Sequence, residues 1–266
     1  MTTTTVSTTT PPAGPTSPHP SLRRPGLARL TGVELRKLTD TRAGYWLLIV
    51  IALAAAAIVT VQLFVMPDAE QTFANFFFPS LLPVGILLPV LGILLVTSEW
   101  SQRTVMTTFA LVPQRSRVLV AKIAAAIIAA LASVLASMVV AAIGTALAGA
   151  LGGAGTWSFE PQIIGYAAVF QVINVVMGVA FGMLFLNTPL AIVLYLVLPL
   201  VWSLLGGMIS GLRRAAEWFD IGVTTVPLVS AEVTAGQWGR IAVSVAVWVV
   251  LPLIAGLVRI VRREVS

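Results

Sequence analysis

Between Glu160 and Arg213 the chain runs for 52 residues without a charge, and most of them are apolar. As helix this stretch would extend about 78 Å, more than twice a hydrocarbon core of about 30 Å, so it fits two membrane crossings joined by a reversal. Asn187-Thr188-Pro189 is its one strong turn signal, because proline biases its neighbour away from αR and cannot continue a helix without cost. Two spans follow, about 163–186 and 189–209. Elsewhere, Tyr45 to Val65 is a charge-free run of 21 residues and makes a first span. A second, about 78–97, contains Pro79, Pro83 and Pro89 and is expected to be kinked or interrupted. A third lies near 123–148, with Lys122 at its interface, and a sixth near 241–258. The fold class is therefore all-α, a polytopic membrane protein of six transmembrane helices.

Composition agrees with this class. Hydrophobic residues make up 58% and charged residues 10% of the 266, against about 25% charged in soluble domains. The chain has no cysteine, which excludes disulfides, thiolate metal sites and cysteine nucleophiles. His19, the single histidine, lies in a Thr/Pro-rich tail far from any span, so His-based catalysis and zinc or haem ligation are not expected. No metal site is expected. No Gly-x-x-x-x-Gly-Lys-Ser/Thr loop occurs, so any nucleotide energy must come from another polypeptide, and the chain is not expected to be an enzyme by itself.

Three regions follow: residues 1–22, 23–44 and 45–266. Residues 1–20 hold eight Thr, five Pro and two Ser and no charge, a composition expected to stay disordered in the cytoplasm. Residues 23–44 carry Arg23, Arg24, Arg29, Arg36, Lys37 and Arg42 among Leu27, Leu30, Val33, Leu35 and Leu38, which predicts a basic interfacial helix lying along the headgroups. The remainder is the six-span domain.

Six spans put both termini on one side. With the N-terminus in the cytoplasm, thirteen of the sixteen Lys and Arg fall inside, leaving only Arg213, Arg214 and Arg240 outside. The expected location is the inner (plasma) membrane of the cell. The segment Gly211–Gly239, with Trp218, Phe219 and Trp238, reads as an interfacial stretch on the outer side.

Few residues within the spans carry chemistry. Gln171 and Asn174, at i and i+3, are the main polar pair and are candidates either for the substrate path or for helix packing. Gly178 and Gly182 form a Gly-x-x-x-Gly, and Ala129, Ser133 and Ser137 recur at spacing four. Both faces let helices approach closely, within the fold or between subunits.

Ser98-Glu99-Trp100-Ser101-Gln102-Arg103-Thr104, followed by Leu111, Pro113, Arg115, Arg117 and Lys122, resembles the permease subunits of ATP-binding cassette exporters of the type 2 family. The Leu186-Asn187-Thr188-Pro189 reversal and the ending Trp248, Pro252, Gly256, Arg259, Arg263, Glu264 are similar to actinobacterial members. The resemblance spans about Val33 to Val265. It implies a permease that forms the substrate path, coupled to a separate cytoplasmic ATPase that binds ATP and Mg; the chain itself binds no cofactor. It further implies a second permease copy, identical or similar, in contact with membrane lipid and with no role for nucleic acid. The alternative is a non-transporting membrane anchor, sensor or assembly subunit.

On the same resemblance, the cytoplasmic loop 98–117 is the expected coupling element, with Glu99, Trp100, Arg103, Thr104, Phe109 and Leu111 as its contact residues. Residues 101–111 are expected to form a short helix, with Glu99 pairing with Arg103 at i and i+4.

Overall fold

A computed structural model describes residues 26–102, 115–157, 159–230 and 233–262. Among these, six helices are long and apolar enough to cross a membrane, and the architecture is all-α. Helix α1 (Leu27–Asp40) precedes them, and its range falls inside the expected 23–44. The tail 1–22 lies outside the described residues.

Helix α2 (Arg42–Val65) starts where the Thr41 hydroxyl accepts from Gly44 N at 3.1 Å. A short turn at Asp68–Glu70 leads to α3 (Phe73–Ser101). This span begins five residues earlier than expected. Thr72 caps it, and Phe73, Phe76 and Phe77 are buried side chains of the bundle, not a loop approaching it.

Of the kink or interruption expected in α3, the interruption does not occur: the helix runs unbroken through Pro79, Pro83 and Pro89. Each proline lacks the N–H that would bond the carbonyl four residues earlier. Pro79 thereby frees Asn75 O, which accepts from Gln62 Nε2 at 3.0 Å. Pro89 frees Gly85 O, which accepts from Tyr195 Oη at 3.4 Å. At these two prolines a donor on a neighbouring helix thus restores what the ring removes, as backbone in hydrocarbon favours.

Helix α4 (Arg115–Ala150) is longer than the expected 123–148. Its 36 residues extend about 54 Å, well beyond the hydrocarbon core. The loop after it turns through Gly152 and Gly155, both at positive φ, and is tied to the α2–α3 loop by Ala154 N to Asp68 O (2.9 Å) and Phe73 N to Thr156 O (3.0 Å). Helices α5 (Gln162–Phe185) and α6 (Thr188–Met208) are separated by a reversal at Leu186, whose φ is 53°, and the Asn187 side chain accepts from Leu190 N. This matches the turn expected from Asn187-Thr188-Pro189.

The expected interfacial stretch after α6 is instead folded. It forms α7 (Arg213–Phe219), α8 (Ile221–Thr224) and α9 (Val226–Val229). Leu228 is fully buried, Ile221 nearly so, and Asp220 caps α8 through Gly222 N and Val223 N. Trp248 Nε1 donates to Phe219 O at 2.6 Å and fastens the segment to the last span. That span is α10 (Ala235–Val245), a π turn at Ala246–Val250, and α11 (Leu251–Arg262).

Packing centres on α3 and α5. Two thirds (67%) of the most apolar stretch of α3 is buried and 56% of that of α5, against 17–28% for the other spans. Gly178 explains the close approach: a Cβ there would lie 2.3 Å from Pro89 O, and one at Gly182 would lie 3.2 Å from Ile93. The Gly-x-x-x-Gly therefore serves packing inside the chain. Helix α6 exposes Val193, Leu196, Val197, Leu200 and Leu204, an apolar surface suited to lipid.

Candidate functional site

Three helices converge at the end of the bundle where α2, α4 and α6 begin. Helix α1 brings Glu34 and Lys37, one turn apart. Glu99 comes from the last turn of α3 and Lys122 from the first third of α4.

Among the described residues, four charges of alternating sign meet here. Lys122 Nζ lies 2.8 Å from Glu34 Oε2 and 2.9 Å from Glu99 Oε1, while Lys37 Nζ lies 2.8 Å from Glu34 Oε1 and 2.6 Å from Glu99 Oε1. Lys122 also donates to Leu95 O at 2.9 Å. Side-chain exposure is 3% for Lys122, 5% for Glu34 and 11% for Glu99, whereas Lys37, at 36%, forms the rim.

Among the described residues the two carboxylates are matched by two ammonium groups, and such pairing is the condition under which buried charges persist. Burial disfavours the Lys37 ammonium, but hydrogen bonds and charge from Glu34 and Glu99 outweigh it and hold its pKa above the usual lysine value.

Around this set the same end of the bundle is further cross-tied. Thr188 Oγ1 at the start of α6 donates to Thr97 Oγ1 of α3 at 2.7 Å. Arg259 of α11 donates to Leu184 O of α5. The chain leaves α3 at residue 102 and returns at residue 115, directly beside the charge set.

Placement of the expected residues is mixed. Glu99 belongs to α3 and is buried; its partners include Lys37 and Lys122. Trp100 is partly buried against the apolar cluster of Leu91, Leu95 and Leu119. Arg103, Thr104, Phe109 and Leu111 lie outside the described residues, as does the expected Glu99–Arg103 pair. The loop once placed at 98–117 is shorter, because Ser98–Ser101 belong to α3 and Arg115–Arg117 to α4. Lys122, expected at the interface, is 2% exposed.

Three residues of the site are not among those expected there from sequence: Glu34, Lys37 and Lys122. The one signal for Glu34 is an acid in the middle of a basic helix, whose other acid, Asp40, ends it. Nor does α1 bury only the expected apolar residues. Its buried face is Thr31, Glu34 and Leu38, while Leu27 and Val33 are exposed.

Gln171 and Asn174 separate in role. Gln171 is fully buried and its Nε2 donates to Leu81 O at 3.3 Å, linking α5 to α3; its Oε1 has no partner among the described residues. Asn174 Nδ2 donates to Phe170 O at 2.8 Å within α5, and the side chain lines a cavity of about 440 Å³ between α3, α5, α6 and the short helices α8 and α9. Among the described residues, no group of three His, Cys, Asp or Glu is placed to hold a metal ion. No protein-family model and no curated protein sequence matches the chain.

Proposed function

We propose that this chain is the transmembrane permease subunit of an ATP-binding cassette exporter, with the α1 end of the bundle in the cytoplasm. The observation that carries the proposal is the buried charge set of Glu34, Lys37, Glu99 and Lys122, which clamps α1, α3 and α4 together between the end of α3 at Ser101 and the start of α4 at Arg115. A partner that pulls on this segment moves the end of α3. Because α3 is the most buried helix and packs through Gly178 and Gly182 against α5, such a displacement reaches the centre of the molecule. The bias of basic residues toward the α1 end supports the orientation.

In this arrangement a cytoplasmic ATPase binds residues 102–114 and supplies the energy, ATP and Mg sit on that partner, and a second permease copy completes the path. The transporter resides in the plasma membrane. Glu99, buried in the charge set, serves to hold α1 and α3, while Arg103, Thr104, Phe109 and Leu111 supply the contact with the ATPase.

Purification of the tagged chain from its native host is the direct test. It should bring down an ATPase, and the reconstituted complex should show ATP-dependent movement of substrate. Arg103→Ala and Phe109→Asp should leave insertion and abundance unchanged while weakening ATPase association. A wild-type chain that retains no ATPase refutes the proposal; one that retains it without transport under any substrate load identifies a sensor or anchor.

A further inference from the structure

The cavity beside Asn174 lies between α3, α5, α6 and the short helices α8 and α9, and part of its wall, Leu82, Ile86, Leu196 and Leu200, is exposed at the surface of the bundle. Its volume, about 440 Å³, falls in the range of small-molecule sites. The walls are mostly apolar, with Leu82, Ile86 and Leu196 among them. Asp220, Asn174, Tyr195 and Thr225 bring acceptor oxygens to the cavity, and Ser203 brings a hydroxyl that can donate or accept.

Tyr195 gives its hydroxyl proton to Gly85 O, and Thr225 gives its own to Ile221 O at 2.6 Å. One amide proton of Asn174 goes to Phe170 O. Each of the three keeps an oxygen able to accept, and Asn174 keeps one amide proton besides.

Asp220 adds a charge to that set. It lines the cavity and is 1% exposed. Its Oδ1 accepts from Gly222 N at 2.9 Å and Val223 N at 3.3 Å, and its Oδ2 has no partner among the described residues. No lysine or arginine lines the cavity. A buried carboxylate without a countercharge is costly, and the cost is relieved by a cation brought in from outside.

We infer that this cavity is a binding site for a hydrophobic ammonium ion, whose apolar body fills the space between α3, α5 and α6 and whose N–H groups face Asp220 Oδ2 and the acceptors of Asn174, Tyr195 and Thr225. The inference is independent of transport: it concerns occupancy of the site, whether or not the occupant is carried across.

The probe is 1-naphthylmethylammonium, with 1-naphthylmethanol as the neutral isostere and 1-naphthoate as the anion. Each is measured by equilibrium binding to the full chain in zwitterionic-lipid nanodiscs, with empty discs subtracted. The ammonium should bind saturably, one per chain, at least tenfold tighter than the alcohol, and the naphthoate more weakly than either. Asp220→Asn keeps an oxygen that caps α8, since Asn is as good at that position as Asp. It should reduce ammonium affinity to that of the alcohol and leave the alcohol unchanged. Ser203→Phe, which fills the cavity from α6 without touching the carboxylate, should abolish saturable ammonium binding. Equal binding of ammonium and alcohol by the wild type overturns the inference, as does ammonium binding that survives both substitutions.

Discussion

Lys122 is the residue on which the charge set most depends, because it reaches both carboxylates and a backbone carbonyl while nearly inaccessible to water. Lys122→Met keeps the shape and removes the more deeply buried of the two ammonium groups that Glu34 and Glu99 share. Loss of one partner from a buried set costs about 3–5 kcal/mol, so the variant should melt well below wild type in detergent. Lys122→Met combined with Glu99→Leu retains the Glu34–Lys37 pair in a neutral site and should recover most of that loss. Additive losses would show that the two residues do not couple.

At Lys37 the expectation concerns pH. Its pKa in the folded chain lies above the usual 10.5, so its contribution is complete below that value and is lost as pH rises through the folded pKa. Melting temperature should therefore fall more steeply above pH 10.5 in wild type than in Lys37→Gln. The effect is small because the side chain is partly solvent-screened. Glu34 shows why this site was not legible residue by residue: its partner Lys122 is 88 positions away, and no local pattern links them.

At the scale of the helix, α5 contains its own matched control. A Cβ at Gly165 meets nothing within 4 Å, whereas one at Gly178 meets the Pro89 backbone at 2.3 Å. Gly165→Ala should be neutral or stabilise by up to about 1 kcal/mol through reduced unfolded-state freedom. Gly178→Ala must separate α3 from α5 and should cost about 1–3 kcal/mol. Thermal stability of the two purified variants decides the matter, and equal melting would contradict the packing of α3 on α5.

In α3, Tyr195→Phe removes the donor for the carbonyl freed by Pro89 and should cost about 1 kcal/mol, read by the same melting measurement. The sequence predicted a kink or a break at these prolines because proline's local chemistry is unfavourable in a helix. Whether a break occurs depends on donors supplied by α2 and α6, which no window around the proline contains.

For the whole molecule, the absence of native cysteine makes orientation directly measurable. With the α1 end in the cytoplasm, Glu70→Cys at the opposite end should react with an impermeant thiol reagent in intact cells. Ser116→Cys at the start of α4 should react only after lysis. The reverse pattern would invert the topology.

The number of crossings and their order were legible from sequence alone, since a hydrocarbon core demands long uncharged helical runs and that demand is met locally. The reversal at Asn187-Thr188-Pro189 was legible for the same reason, being set by proline and an Asn cap within a few residues. Helix ends such as Phe73 and Arg115, the burial of Glu34 and Lys122, the folding of α7–α9 onto the bundle and the cavity at Asp220 were decided by tertiary structure. Each depends on which helices become neighbours, and a charge or a proline acquires its meaning from the partner that neighbour provides.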